Sequence, residues 1–205
     1  TSLAAPPPPG VLSPDGKVLY APSFEGPHWT VINATNGDVI TKLEPKSGAH
    51  NTIYAPDGSR VYMAGLKSPL LSIADPKTNT IVGTVGPFAN PIRPFTVNGS
   101  NTLVFVNVNS LLGFEVGDVK TGKKLYRVEV QGFKSGAVKR HGCPSHGIAL
   151  TPDEKELWVA DGVNNRIHIF DATVMPPQQG MNIQVRDLPG WITFSIDGKT
   201  VWSSS

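Results

Sequence analysis

Five short polar turns recur along this chain at a nearly constant interval. They are "SPDGKVLY" at Ser13, "APDGSRVY" at Ala55, "VNGSNTLVF" at Val97, "TPDEKELW" at Thr151 and "SIDGKTVW" at Ser195. Aligned on Asp15, Asp57, Asn98, Asp153 and Asp197, they are spaced by 42, 41, 55 and 44 residues. A second marker follows each of the first four turns by about 18 residues, at Asn33, Asp75, Asp118 and Asp171, with intervals of 42, 43 and 53. Two separate markers keep one period and share one long third interval. A tandem repeat of that kind restricts the fold more than any local propensity does.

Each unit reads strand, Asp-Gly-type turn, strand, loop, strand, Asp-x-x-Thr-type turn, strand. Asn-Gly and Asp-Gly between β-rich runs supply the positive φ that tight hairpins need, and alternation is visible in "RVYMAG", "TLVFVNV" and "RIHIF". Four antiparallel strands in roughly 42 residues is the period of a propeller blade. No segment carries a sustained helical period with caps, which excludes an α-solenoid. A β-sandwich does not repeat its turn chemistry at one period. The expected fold is therefore an all-β propeller of four-stranded blades.

The stretches "YAPDGSRVYMAG", "LSIADPKTNTIVGTVGP" and "HGIALTPDEKELWVADGVNNRIHIFDATV" resemble the YVTN-type β-propeller repeat, built on Pro-Asp-Gly, a Val-Tyr-Val strand and Asp-x-x-Thr-x-x-Val. The resemblance covers nearly the whole chain and departs at "VNGSNTLVF", which lacks the Pro-Asp pair. It implies a quinoprotein amine dehydrogenase-like propeller, among relatives that range from surface-layer proteins to lactonases, and a ring of seven blades. The expected blades run over 8–47, 48–89, 90–131 and 146–186, with a partial blade over 188–205 and an insertion loop over 132–145. About four and a half blades point to part of a longer ring whose other blades lie elsewhere. A five-bladed or oligomeric closure is the alternative.

Composition narrows the function. With 39% hydrophobic and 17% charged residues the chain is an ordinary globular one. No apolar run nears the roughly 18 residues of a membrane helix. The net charge of +2, without a basic stripe interleaved with aromatics, argues against nucleic acid. A single cysteine, Cys143, excludes an intrachain disulfide. A periplasmic or secreted location, with the leader already removed, is the expectation.

Counting back seven from each turn residue gives Pro8, His50, Pro91, His146 and Gly190, the start of each innermost strand. Two histidines therefore stand on one rim of the central channel. His28, in the loop after the second strand, is expected on the same face, and so is the basic insertion "GFKSGAVKRHGCPS" with Lys139, Arg140 and His141. Arg93 lies two residues past the rim position. Loops on a rigid scaffold are where binding residues collect. The same histidines also suit a structural role, bonding a neighbouring backbone.

"HGCPSH" supplies His141, Cys143 and His146, one short of a four-ligand zinc site, and lacks the second cysteine of a haem signature. No Gly-x-Ser-x-Gly elbow and no phosphate loop is present. Glu and Asp fall in turns and on outer strands, which leaves a neutral-to-basic channel. No metal or cofactor is expected. The favoured reading is a non-enzymatic scaffold whose channel mouth, with His28, His50, Arg93, Lys139, Arg140, His141 and His146, binds a partner protein or a small anionic ligand. The alternatives are a lactonase-like or quinoprotein dehydrogenase-like enzyme with rim histidines as general base or cofactor contacts, and a structural component of a cell surface.

Overall fold

The computed structural model describes residues 10–138 and 142–204, and every regular element among them is a strand. The first sheet holds β1 (Val11–Leu12), β2 (Val18–Pro22), β3 (Trp29–Asn33) and β4 (Val39–Leu43) in that order. The second holds β5 (Ala49–Tyr54), β6 (Val61–Gly65), β7 (Leu71–Asp75) and β8 (Thr80–Val85). The third holds β9 (Ile92–Val97), β10 (Leu103–Val108), β11 (Gly113–Asp118) and β12 (Lys123–Glu129). The fourth holds β13 (Ser145–Leu150), β14 (Glu156–Asp161), β15 (Arg166–Asp171) and β16 (Gln178–Gln184), and β17 (Trp191–Phe194) pairs with β18 (Val201–Ser204) in a fifth. All neighbours are antiparallel. The innermost strands lie side by side, β1 on β5, β5 on β9, β9 on β13 and β13 on β17. These are about four and a half blades of a β-propeller.

The first turn of each blade closes with one repeated backbone bond. The N–H of Ser13, Ala55, Asn98, Thr151 and Ser195 donates to the carbonyl five residues on, at 2.8, 2.9, 3.1, 2.9 and 2.8 Å. Asn98 is thus the equivalent of Ser13, not of Asp15, and the expected alignment of the third turn slips by two residues. The side chains explain the slip. In the first turn the Ser13 hydroxyl donates to Asp15 Oδ1 and accepts from Val18 N. In the third turn the Asn98 amide donates to Ser100 Oγ, while Asn98 Oδ1 accepts from Leu103 N. A longer amide at the first position with a hydroxyl at the third does the work of a hydroxyl followed by a carboxylate. With the equivalence corrected, the turns are spaced by 42, 43, 53 and 44, and the first three intervals equal those of the second marker. The third interval is ten residues longer than the second because of the insertion.

The core lies between blades rather than in one centre. Tyr20, Trp29 and Val31 meet Val61 and Met63 between the first and second sheets. Tyr62, Leu71 and Ile73 meet Ile92, Val104 and Val106 between the second and third. Phe105, Phe114 and Val116 meet Leu157, Val159 and Phe170 between the third and fourth. Successive residues of a middle strand therefore serve opposite gaps, as the two-residue period of a strand requires. Burying each such side chain stabilises by roughly 1.5–3 kcal/mol. The outermost strands β4, β8, β12 and β16 are largely exposed.

Candidate functional site

The corrected turn equivalence changes the rim. Five residues before each closing amide lie Pro8, His50, Arg93, His146 and Gly190, so Arg93 occupies the same position in its blade as the two histidines in theirs. Each of the three sits where the pairing of the innermost strand with its neighbour shifts register, between Ala49 and Asn51, opposite Val106 to Val108, and between Ser145 and Ile148. A bulge re-aims the side chain it carries. Successive blades thus carry His, Arg and His at one equivalent position.

The three side chains meet different surroundings. His50 is half-buried, its Nδ1 2.6 Å from Asn51 Oδ1, with the Phe24 ring 5.8 Å away centre to centre. Phe24 and His28 belong to the β2–β3 loop. That loop is held on the start of β5 by Glu25 N–H donating to the Ala49 carbonyl and Ala49 N–H donating to that of Gly26. His146 is buried, its Nδ1 2.8 Å from the Gly190 carbonyl, its ring edge-on to Trp191 at 4.8 Å. Its own carbonyl accepts from Asn107 Nδ2 at 2.6 Å. His146 therefore joins the fourth blade to the fifth.

Arg93 is half-buried, and its Nε donates to Asn109 Oδ1 at 2.6 Å. Asn109 is itself fixed by its N–H to the Pro91 carbonyl. A guanidinium has five N–H donors. Among the described residues, no acceptor and no carboxylate meets the other four. The returning arm of the insertion passes close by: a Cβ placed on Gly142, whose φ is +70°, would stand 2.8 Å from Arg93 Nη2. Next to it, Cys143 is buried and donates from Sγ to the Ser145 carbonyl at 2.8 Å. Burial pushes its thiol up to about 12, with the Arg93 charge pulling the other way. A thiol so held is a poor nucleophile and a poor metal ligand. Lys139, Arg140 and His141 lie outside the described residues.

Two buried acids depart from the expectation that Glu and Asp keep to turns and outer strands. Asp161, at the end of β14, is fully buried and accepts four hydrogen bonds. Val163 N and Asn164 N donate to Oδ1, and Asn164 Nδ2 and His168 Nε2 to Oδ2, all within 2.7–2.9 Å. Burial raises the Asp161 carboxyl, but the bonds from His168, Asn164 and Val163 outweigh it, and the net shift is downward. His168 is also fully buried, and its Nδ1 has no hydrogen-bond partner among the described residues. Phe133 from the insertion lies edge-on to His168 at 4.7 Å, the Arg166 guanidinium carbon stands 5.4 Å over the Phe133 ring, and Asn164 Nδ2 reaches the Lys134 carbonyl at 2.9 Å. This group anchors the root of the insertion. Glu115, on β11, is the second case: its Oε2 accepts from Ala89 N at 2.8 Å and its Oε1 lies 3.2 Å from Lys124 Nζ and 3.7 Å from Arg127 Nη1. It ties the second-to-third blade connection to the third sheet.

Two hollows bear on the site. A groove of about 620 Å³ opens between the second and third blades on the opposite face, among hairpin residues such as Asp57, Arg60, Asn101 and Lys120. A cleft of about 310 Å³ lies at the mouth, between Ser110 and the insertion residues Ser135–Val138, Gly142 and Pro144.

No protein-family model matches this chain, and no curated protein does. A solved structure of a functionally unknown protein from Desulfotomaculum acetoxidans DSM 771 is similar, with a TM-score of 0.79 at 17% identity. The similarity covers 100% of this chain and 64% of that one. The likeness is one of fold.

Proposed function

We propose that this chain is a binding propeller and that its channel mouth takes an anionic group on Arg93. The observation that carries the reading is the guanidinium itself. It stands at a rim position, half-buried, held by one bond to Asn109, and among the described residues no acceptor and no carboxylate meets its four other donors. A half-buried arginine keeps donors open to a ligand, and its planar fork matches carboxylate and phosphate geometry. His50 and His28 border the same mouth, while His146 and Asn107 hold the neighbouring strand in place. The YVTN-type likeness of the Pro-Asp-Gly turns supports a scaffold of this kind.

Anything that binds only the folded chain raises its unfolding midpoint by mass action. Acetate and inorganic phosphate, titrated against a constant chloride background, should raise the melting temperature of the wild type and not of Arg93→Gln. An equal response in both proteins would remove Arg93 from the site.

A further inference from the structure

The fifth sheet presents a surface of another kind, separate from Arg93. In each four-stranded sheet an aromatic residue of the second strand, seven residues after the closing amide, pairs with a β-branched residue of the third. The pairs are Tyr20 with Val31, Tyr62 with Ile73, Phe105 with Val116 and Trp158 with Ile169. Two residues further along the third strand stands Asn33, Asp75, Asp118 or Asp171. β18 carries Trp202 at the same aromatic position, paired on one side with Thr193 of β17. Among the described residues no strand pairs with the other edge of β18.

That edge is set to pair. The bond from Ser195 N–H to the Thr200 carbonyl fixes the alternation of the hairpin, so Trp202 turns its backbone groups to β17 while those of Val201 and Ser203 point outward. All four residues of β18 are exposed, whereas β6, with a strand on each side, is buried throughout. The fourth blade is open in the matching place. A hollow of about 420 Å³ lies against Ile169, beside Gly180 and the exposed Met181. In earlier gaps between blades, the third-strand residue just before the Asp reaches back onto the preceding blade, as Ala74 and Phe170 do. Phe170 lies edge-on to Phe114 of the third sheet at 5.0 Å.

We infer that the free edge of β18 binds an extended strand of a partner polypeptide, antiparallel, whose residues run large apolar, any, Val or Ile, apolar or small, Asp or Asn. Its Val or Ile covers Trp202, and the residue after that enters the hollow against Ile169. Main-chain bonds supply affinity and alternate side chains supply selection, as in other additions of a strand to a sheet edge. The four complete sheets already hold a strand of this pattern in this register. The fifth sheet is already seated on the fourth, with Trp158 edge-on to Phe194 at 5.2 Å, so the added strand continues an existing interface. The anion site and this edge can each fail without the other.

The probe is a synthetic peptide, RIHIFDAT, the sequence of residues 166–173, titrated calorimetrically into the whole chain. It should bind saturably. The same peptide with Ile169→Asp, which sets a carboxylate against Trp202, should bind roughly tenfold or more weakly. In the protein, Ser203→Pro removes an outward N–H and spares the pairing with β17, as an edge position allows. That variant should keep its circular dichroism spectrum and lose the peptide, and Trp202→Ser, at an exposed side chain, should weaken it. No saturable binding by the wild type, or equal binding of the two peptides, overturns the proposal. So does binding that survives unchanged in Ser203→Pro or in Trp202→Ser. A discrete oligomer of the peptide-free chain that dissociates in Ser203→Pro would make a second copy the occupant and overturn the partner assignment.

Discussion

Replacing Asp161 by alanine should be among the costliest single changes on this surface, although Asp161 touches no ligand in the reading above. Its carboxylate accepts four bonds, two from turn amides, one from Asn164 and one from the buried His168. After Asp161→Ala, His168 Nε2 has no acceptor, and its Nδ1 already has none. A buried donor left unsatisfied costs about 1–3 kcal/mol. The turn amides and Asn164 are only half-buried and regain water, so each loses about 0.5–1 kcal/mol. The sum is about 2.5–6 kcal/mol. Asp161→Asn should cost about 1–2 kcal/mol, because Oδ1 still takes both turn amides and His168 can change tautomer, accepting at Nε2 from the new amide.

The assay is urea unfolding followed by tryptophan fluorescence and circular dichroism, with unchanged m values. The sign with pH follows from the lowered Asp161 carboxyl. A group depressed in the folded state stabilises above its unfolded value, near 3.8, and that contribution is lost as pH falls through the folded value. The gap between wild type and Asp161→Asn should therefore be constant from neutrality to about pH 4 and shrink below it. An Asp161→Ala protein within about 1 kcal/mol of wild type would refute the reasoning.

Cys143 should resist iodoacetamide at pH 8 in the folded chain and react at once in urea, since burial keeps the thiol protonated up to about 12; prompt native labelling, read by mass spectrometry, would contradict the burial. Glu115→Gln should cost only about 1 kcal/mol or less by urea unfolding, because Gln still accepts from Ala89 N and the half-exposed Lys124 and Arg127 return to water. A loss above about 3 kcal/mol would mean that the two cations are trapped with it.

The blade pattern was legible because turn chemistry repeats, and it was misread at one point for a chemical reason. Asn98 and Ser100 divide the donor and acceptor roles of the turn in the opposite order from Ser13 and Asp15, so matching acidic letters shifts the third blade by two. That slip hid Arg93 from the rim position it shares with His50 and His146. The Asp161–His168 pair was out of reach for another reason. The partners lie on paired strands, with Asp161 opposite Arg166 and His168 opposite Val159, and no local period marks such a diagonal. Glu115 sits between Phe114 and Val116 in an alternating strand, which ordinarily places it toward water. In a propeller the middle strands are covered on both faces, so alternation there selects which gap a residue enters and not whether it is buried.

The same geometry makes one repeated aromatic position unequal in energy. Seven residues after the closing amides come Tyr20, Tyr62, Phe105, Trp158 and Trp202. The first three are fully buried, and Trp158 packs edge-on against Phe194 of the next sheet at 5.2 Å. Each leans forward onto the following blade. Trp202 shares the position but is 57% exposed. Phe105→Ala empties a site shared with Phe114 and the fourth sheet and should cost about 3–5 kcal/mol, whereas Trp202→Ala should cost about 1 kcal/mol or less. Equal losses in the two variants would mean that the aromatic stabilises its own sheet. Unequal losses locate its worth in the neighbour it covers, which is how a structure with cores only between its blades must be held together.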